Sequence, residues 1–201
     1  KYLDKVISME TWGFFDKAIV EVVKSNLLNW MPNIIHANDL HCGLIPLLVK
    51  TEKLPIKTML TIHNLMFQGR AHTDIVEKMG IDPKTCRPLQ WEIESRQINF
   101  LLEAIVHADI ITTVSPTYAK EILTEEFGCG LNEILKGREG QIYGILNGID
   151  IDWRHTTRDP AVRFPYGPTE KRVDGKIEYY DWRQGKRLDK EFLQKKLGLK
   201  V

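Results

Sequence analysis

The run Lys57-Thr58-Met59-Leu60-Thr61-Ile62, succeeded at once by His63-Asn64, decides how this chain is read. It is short, rich in apolar and β-branched residues, and ends abruptly in polar ones, which predicts a buried strand feeding a polar loop. Three more runs carry the same signature: Asn33-Ile34-Ile35, Ile110-Ile111-Thr112-Thr113-Val114 and Ile142-Tyr143-Gly144-Ile145-Leu146. Between them the apolar spacing becomes helical. Phe15, Ile19, Val22 and Val23 form one stripe, and Leu44, Leu47 and Leu48 another. Phe100, Leu101, Ala104 and Ile105 form a third, and Tyr118, Ile122 and Leu123 a fourth. Ser115-Pro116 has the form of an N-cap with proline in the first helical turn. Alternating strands and helices predict an α/β chain, a Rossmann-like parallel sheet with helices on both faces.

Parallel strands all point one way, so the segments leaving their carboxyl ends gather on one rim, where open α/β sheets bind ligands. Those segments are His36-Ala37-Asn38-Asp39-Leu40-His41, His63-Asn64, Ser115-Pro116 and Asn147-Gly148-Ile149-Asp150. Imidazole, carboxylate, amide and hydroxyl groups on one rim suit a ligand with many hydroxyls. Asp39 reads equally as a helix N-cap or as an acceptor for a sugar hydroxyl, and His41 as a donor beside it. His36 reads as a hydrogen-bonded strand-end histidine. His63, leaving a buried strand, is placed to meet a ligand, with Gln68-Gly69 continuing its loop. Asn147-Gly148 is, by itself, a turn signal. Ser115 lacks a nucleophile-elbow context. Trp12, Trp30 and Trp91 read as packing residues, and Cys129 as an unreactive thiol.

Composition narrows the class. The 201 residues are 43% hydrophobic, enough for a sizeable core, and the formal net charge is +1, which argues against a dedicated nucleic-acid binder. No apolar run approaches the roughly 18 residues of a membrane span. Three separated cysteines, Cys42, Cys86 and Cys129, favour a reducing cytoplasm over a disulfide framework. His36, Asp39 and His41 lack a metal-ligand spacing, so no metal is expected. Charge is uneven: residues 1–153 carry a net −5 and residues 154–201 a net +6. Pro160, Pro165 and Pro168 punctuate the basic part, which reads as an irregular linker from Arg154 to Gln184. A short helix is expected after it, from Leu188, Phe192, Leu193 and Leu197, capped by Gly198. The basic tail reads either as a solvated connector or as a surface for an anionic ligand.

Taken together, several segments resemble the glycogen/starch synthase family. They are Ile35 to Gly43, Thr61 to Gly69, Ala108 to Ile122, Phe127 to Leu131 and Gly144 to Asp150, spread over about residues 31–152. The resemblance implies a two-domain GT-B fold and a retaining glucosyltransferase. It would move glucose from a nucleotide sugar, ADP-glucose, to the non-reducing end of an α-1,4-glucan, with neither metal nor cofactor. It implies His63 as the catalytic-site histidine, and Asp39, His41, Asn64 and Asn147 as substrate-binding residues. It further implies residues 1–153 as a partial N-terminal catalytic domain, and 154–201 as linker and start of the next region. A soluble cytoplasmic enzyme, plastidic if from a plant, is expected, without membrane or nucleic-acid partners. Leu40 stands where the family has tryptophan, Asn38 for a frequent histidine, and Leu102-Glu103-Ala104 for Lys-Ala-Gly. The Lys-x-Gly-Gly donor loop and the second domain's cations are not in the sequence, so this chain alone is expected to be inactive. The competing readings are another GT-B glycosyltransferase, a non-catalytic glucan-binding module and, third, a metal hydrolase.

Overall fold

The computed structural model describes residues 5–82, 96–150 and 155–201, with the side chains of 5–8 left aside. The chain divides into two compact units, Lys1–Asn147 and Gly148–Val201. In the first, helix α1 (Lys5–Lys24) precedes strand β1 (Ile34–Asn38), a 3-10 turn (Leu40–Cys42) and α2 (Ile45–Thr51). Then come β2 (Lys57–Ile62), the short β3 (Arg70–His72) and α3 (Asp74–Lys78). The remaining elements of this unit are β4 (Gln97–Asn99), α4 (Phe100–His107), β5 (Ile110–Thr113), α5 (Pro116–Glu121), α6 (Asn132–Lys136) and β6 (Ile142–Gly144).

The main sheet has the order β1-β2-β5-β6, parallel throughout. In β2 the residues Thr58, Leu60 and Ile62 are buried while their neighbours are not, the period-two pattern of a strand. In β5 three consecutive residues, Ile111, Thr112 and Thr113, are buried, so cover lies on both faces there. Leu44, Leu47, Leu48, Leu60, Ile62, Phe100, Leu101, Ile105 and Ile111 are fully buried. Each contributes about 1.5–3 kcal/mol of transfer free energy. β1 runs further than its apolar run implies: His36, Ala37 and Asn38 belong to the strand, because Ala37 is buried opposite Leu60 and Asn38 pairs with Thr61.

Caps fix the ends. Asn99 Oδ1 accepts from Leu102 N at 3.0 Å, and Ser115 Oγ from Tyr118 N at 2.9 Å, as the Ser-Pro signal predicts. Asp16 of α1 accepts from Leu44 N at 2.8 Å, tying α1 to the start of α2. Arg138 donates to the carbonyls of Ile105, Val106 and Ala108 at 2.6, 2.9 and 2.5 Å, closing the C-terminus of α4. Gly144 ends β6 against the segment that follows β5: a Cβ there would stand 2.2 Å from Ser115 O.

The second unit is not the irregular linker that its prolines and charge imply. It holds a three-stranded sheet, β7 (Tyr166–Gly167), β8 (Lys171–Val173) and β9 (Lys176–Asp181), in the order β7-β9-β8. The missed signal is Asp174-Gly175, with φ of 50° and 77°, the two left-handed positions of a two-residue hairpin turn. The helix α7 is also longer than expected, Trp182–Lys196. Asp181 starts it, accepting from Arg183 N at 3.0 Å and Gln184 N at 3.3 Å. It ends at Gly198 as expected: Leu199 N reaches Gln194 O at 2.8 Å and Gly198 N reaches Lys195 O at 3.2 Å, a Schellman cap.

Candidate active-site rim

The carboxyl ends of β1 and β2 are locked by polar groups. Asp39, just past β1, has φ 53° and ψ −164°, a conformation that favours glycine and costs another residue about 1–3 kcal/mol. Two bonds hold it there: Asp39 N donates to Thr61 O at 2.9 Å, and Asp39 Oδ1 accepts from His63 N at 2.7 Å. Its side chain makes no cap bond to the 3-10 turn, so its carboxylate serves the neighbouring strand end rather than a helix. The His63 ring closes the pair from the other side, with Nε2 3.0 Å from Asn38 Oδ1. An amide oxygen can only accept, so His63 Nε2 is the donor of this contact, on a residue that is otherwise exposed. Asn64 Oδ1 accepts from Met66 N at 3.0 Å, a local turn at the start of the loop.

His41 is exposed, and its ring meets Trp12 edge-to-face at 4.8 Å. Trp12 therefore packs, as expected, but against a rim residue; Trp30 is largely exposed, and Trp91 lies outside the described residues. His36 is the strand histidine anticipated, with Nε2 2.6 Å from Thr61 Oγ1, which lies 2.6 Å from Thr112 Oγ1. Asn147 stands on the same rim at its far edge. The bond from Ile145 N to Thr113 O, 2.8 Å, keeps the chain on the sheet just before it. Three strand spacings separate β1 from β6, about 14 Å. The structure thus joins Asn38, Asp39 and His63 directly, sets His41 and Asn64 beside them, and leaves Asn147 across the rim.

Next to the locked pair lies a cavity of about 500 Å³, lined by Leu40, Met66, Phe67, Gln68, Arg70 and Cys129 among others. None of the five residues implied by the resemblance lines it. Its organiser is Gln68, whose Nε2 donates to Cys129 O at 2.9 Å while Oε1 accepts from Asn99 at 2.7 Å and Arg70 at 3.2 Å. Tyr118 Oη accepts from Leu65 N at 2.9 Å, pinning the same loop. Asn38, Gln68 and Arg70 are rim residues that spacing did not single out as ligands; the Gln-Gly of the loop was their one visible signal. Cys42, beside the rim, is half-buried, and burial together with Asp16 and Asp39 pushes its thiol up against the pull of an Asn38 bond. It is held as a neutral thiol. Among the described residues no group of three His, Cys, Asp or Glu side chains is gathered to hold a metal. No described helix is long and apolar enough to cross a membrane.

Residues 2–137 match the family described as starch synthase catalytic domain. The chain belongs to that family. A glycogen synthase from Ligilactobacillus salivarius is 38% identical over 198 residues, covering 94% of this chain and 38% of that protein. One from Thermodesulfovibrio yellowstonii is 40% identical over 175 residues, covering 83% of this chain and 34% of the relative. Among solved structures, the catalytic domain of starch synthase IV from Arabidopsis thaliana, bound to ADP and acarbose, superposes with a TM-score of 0.72. That match is 26% identical and covers all of this chain but 40% of the other. The chain therefore spans well under half the length of these members of the starch synthase family.

Proposed function

We propose that this chain forms the sugar-holding side of a glycogen/starch synthase cleft. The whole protein would transfer glucose from ADP-glucose to the non-reducing end of an α-1,4-glucan with retention, in the cytoplasm. The observation that carries this reading is the lock between Asp39 and His63 at two adjacent strand ends, one of them in a strained backbone. Strain of that kind persists where the surroundings over-determine it, and such places cluster at ligand sites. The ADP and acarbose on the Arabidopsis enzyme support the choice of an adenine nucleotide sugar.

The chemistry divides between two sets of groups. Breaking a glycosidic bond with retention develops positive charge at the sugar carbon and negative charge on the leaving diphosphate. Neutral hydrogen-bonding groups suit the sugar: His63 lies against the donor glucose, and Asp39, His41, Asn64 and Asn147 take hydroxyls. The diphosphate needs cations, and we assign those to a second domain of the whole protein, with residues 1–153 as part of the first. The isolated chain is therefore inactive.

The test is transfer of radiolabelled glucose to glycogen by the full-length protein, with ADP-glucose and UDP-glucose compared. We expect ADP-glucose to be used and His63→Ala to lower kcat by about 10²–10³, the loss typical of one preorganised polar contact to a transition state. No transfer from either donor would overturn the reading, and robust glucan synthesis by residues 1–201 alone would overturn the predicted inactivity.

A further inference from the structure

The basic tail has no part in the proposed sugar-holding rim, and it is built around a second cavity. Within the second unit, an open cavity of about 400 Å³ is lined by Arg163, Tyr166, Lys186, Asp189, Phe192 and Lys196 among others. The Arg163 guanidinium lies 5.9 Å from the centre of the Phe192 ring. Lys186 Nζ lies 5.8 Å from both the Tyr166 and the Trp182 rings. The cations are thus parked on aromatic faces, which holds them at the wall. The ion pairs of this unit among the described residues are Lys171–Glu178, Arg172–Glu170 and Arg187–Glu191, so the cavity's three cations are outside them. Its one carboxylate, Asp189, spends Oδ1 on Phe164 N at 3.0 Å.

From this geometry we infer a binding site for the phosphate monoester of a small ring-bearing molecule, a sugar phosphate or a nucleoside monophosphate. Three cations and one carboxylate leave two positive charges, and a phosphate monoester carries about −1.5 to −2 at neutral pH. The Arg163 guanidinium, held over the Phe192 ring, has the planar fork that suits a bidentate phosphate contact. Tyr166 and Phe192 supply apolar surface for the ring. The volume falls within the roughly 300–1,000 Å³ of small-ligand sites. The site is built from the second unit's own residues and does not depend on the function of the β1–β2 rim.

Titration calorimetry on the whole chain tests this, with inorganic phosphate, glucose 1-phosphate and AMP as probes. One of the ring-bearing probes is expected to bind at least about tenfold tighter than inorganic phosphate, and which one does names the source of the phosphate. Arg163→Gln with Lys186→Gln is expected to weaken that binding at least about tenfold, as loss of charge-assisted bonds should. Lys176→Gln, at the start of β9, should leave it unchanged, and circular dichroism of each variant checks the fold. No saturation below about 10 mM with any probe would overturn the site. So would binding that survives the double substitution, binding lost equally in Lys176→Gln, or inorganic phosphate binding as tightly as either ring-bearing probe.

Discussion

The two units reach order by different physics. Among its described residues the first buries 28 hydrophobic ones across helices and sheet, with Leu60, Ile62 and Ile111 wholly enclosed. Among the described residues of the second, only Gly167 and Gly185 are buried, and neither has a side chain to contribute. Its order comes from a hairpin turn, an aspartate cap, a Schellman end and cations laid on rings. Such local devices are worth about 1 kcal/mol each, against about 1.5–3 for each fully buried large apolar side chain. Secondary structure of similar appearance can thus rest on very different reserves of stability.

Hydrogen exchange would break or sharpen this contrast most. Amides of β2 should open only through unfolding of the core, whereas those of β8 and β9 should open locally. A ratio of protection factors of at least about 10³ is expected, since that is about 4 kcal/mol of opening free energy. Equal protection in both sheets would remove the distinction. Truncation asks the same question in energies. Leu60→Ala should cost about 2–5 kcal/mol in urea denaturation, because it empties a fully enclosed position. Leu193→Ala, half-exposed on α7, should cost within about 0.5 kcal/mol.

The same contrast explains what could be read in the amino acids. The runs at 57–62 and 110–114 announce strands because burial selects apolar and β-branched residues, and burial is what built them; the run at 142–146 gives only the edge strand β6, at 142–144, whose residues are half-buried or exposed. The reach of β1 through His36 and Asn38 stayed hidden, since a pairing strand end facing solvent has no apolar reason to look like a strand. The sheet at 166–181 stayed hidden too: Lys171-Arg172-Val173 and Lys176-Ile177-Glu178 are too polar to signal alternation, and only Asp174-Gly175 marks the turn. At the rim, the motifs pointed to Asp39 and His63. The Asn38 contact to the His63 ring and the Gln68 network needed coordinates, because each joins residues about 25 or more positions apart.

Asp16 probes the seam between α1 and α2 in the well-packed unit. Burial pushes its carboxyl up to about 8, against the lowering effect of the Leu44 N bond, while the unfolded chain titrates near 3.8. The folded state therefore keeps a proton that the unfolded chain has released between these values. That stability is fully present below 3.8 and is lost as pH rises through about 8. The loss should be on the order of a few kcal/mol. Asp16→Asn retains an acceptor for Leu44 N and abolishes the titration. Urea midpoints from pH 5 to 9 should fall for the native chain and flatten in the variant; parallel slopes would assign the pH dependence elsewhere.

The most local effect belongs to the unit without a core, and it isolates what a turn alone supplies. Gly175 holds φ 77° at the second position of the β8–β9 turn, and an added Cβ would meet nothing within 4 Å. Gly175→Ala therefore introduces backbone strain without a clash. The left-handed conformation costs a residue with a Cβ about 1–2 kcal/mol. In the first unit such a cost would be shared with a packed core and would scarcely change local protection. Here there is no core to share it, so the β8 and β9 amides should exchange about 5–30-fold faster while β2 exchange is unchanged. If the two sheets respond together, the second unit is held by more than its turns, caps and stacked cations.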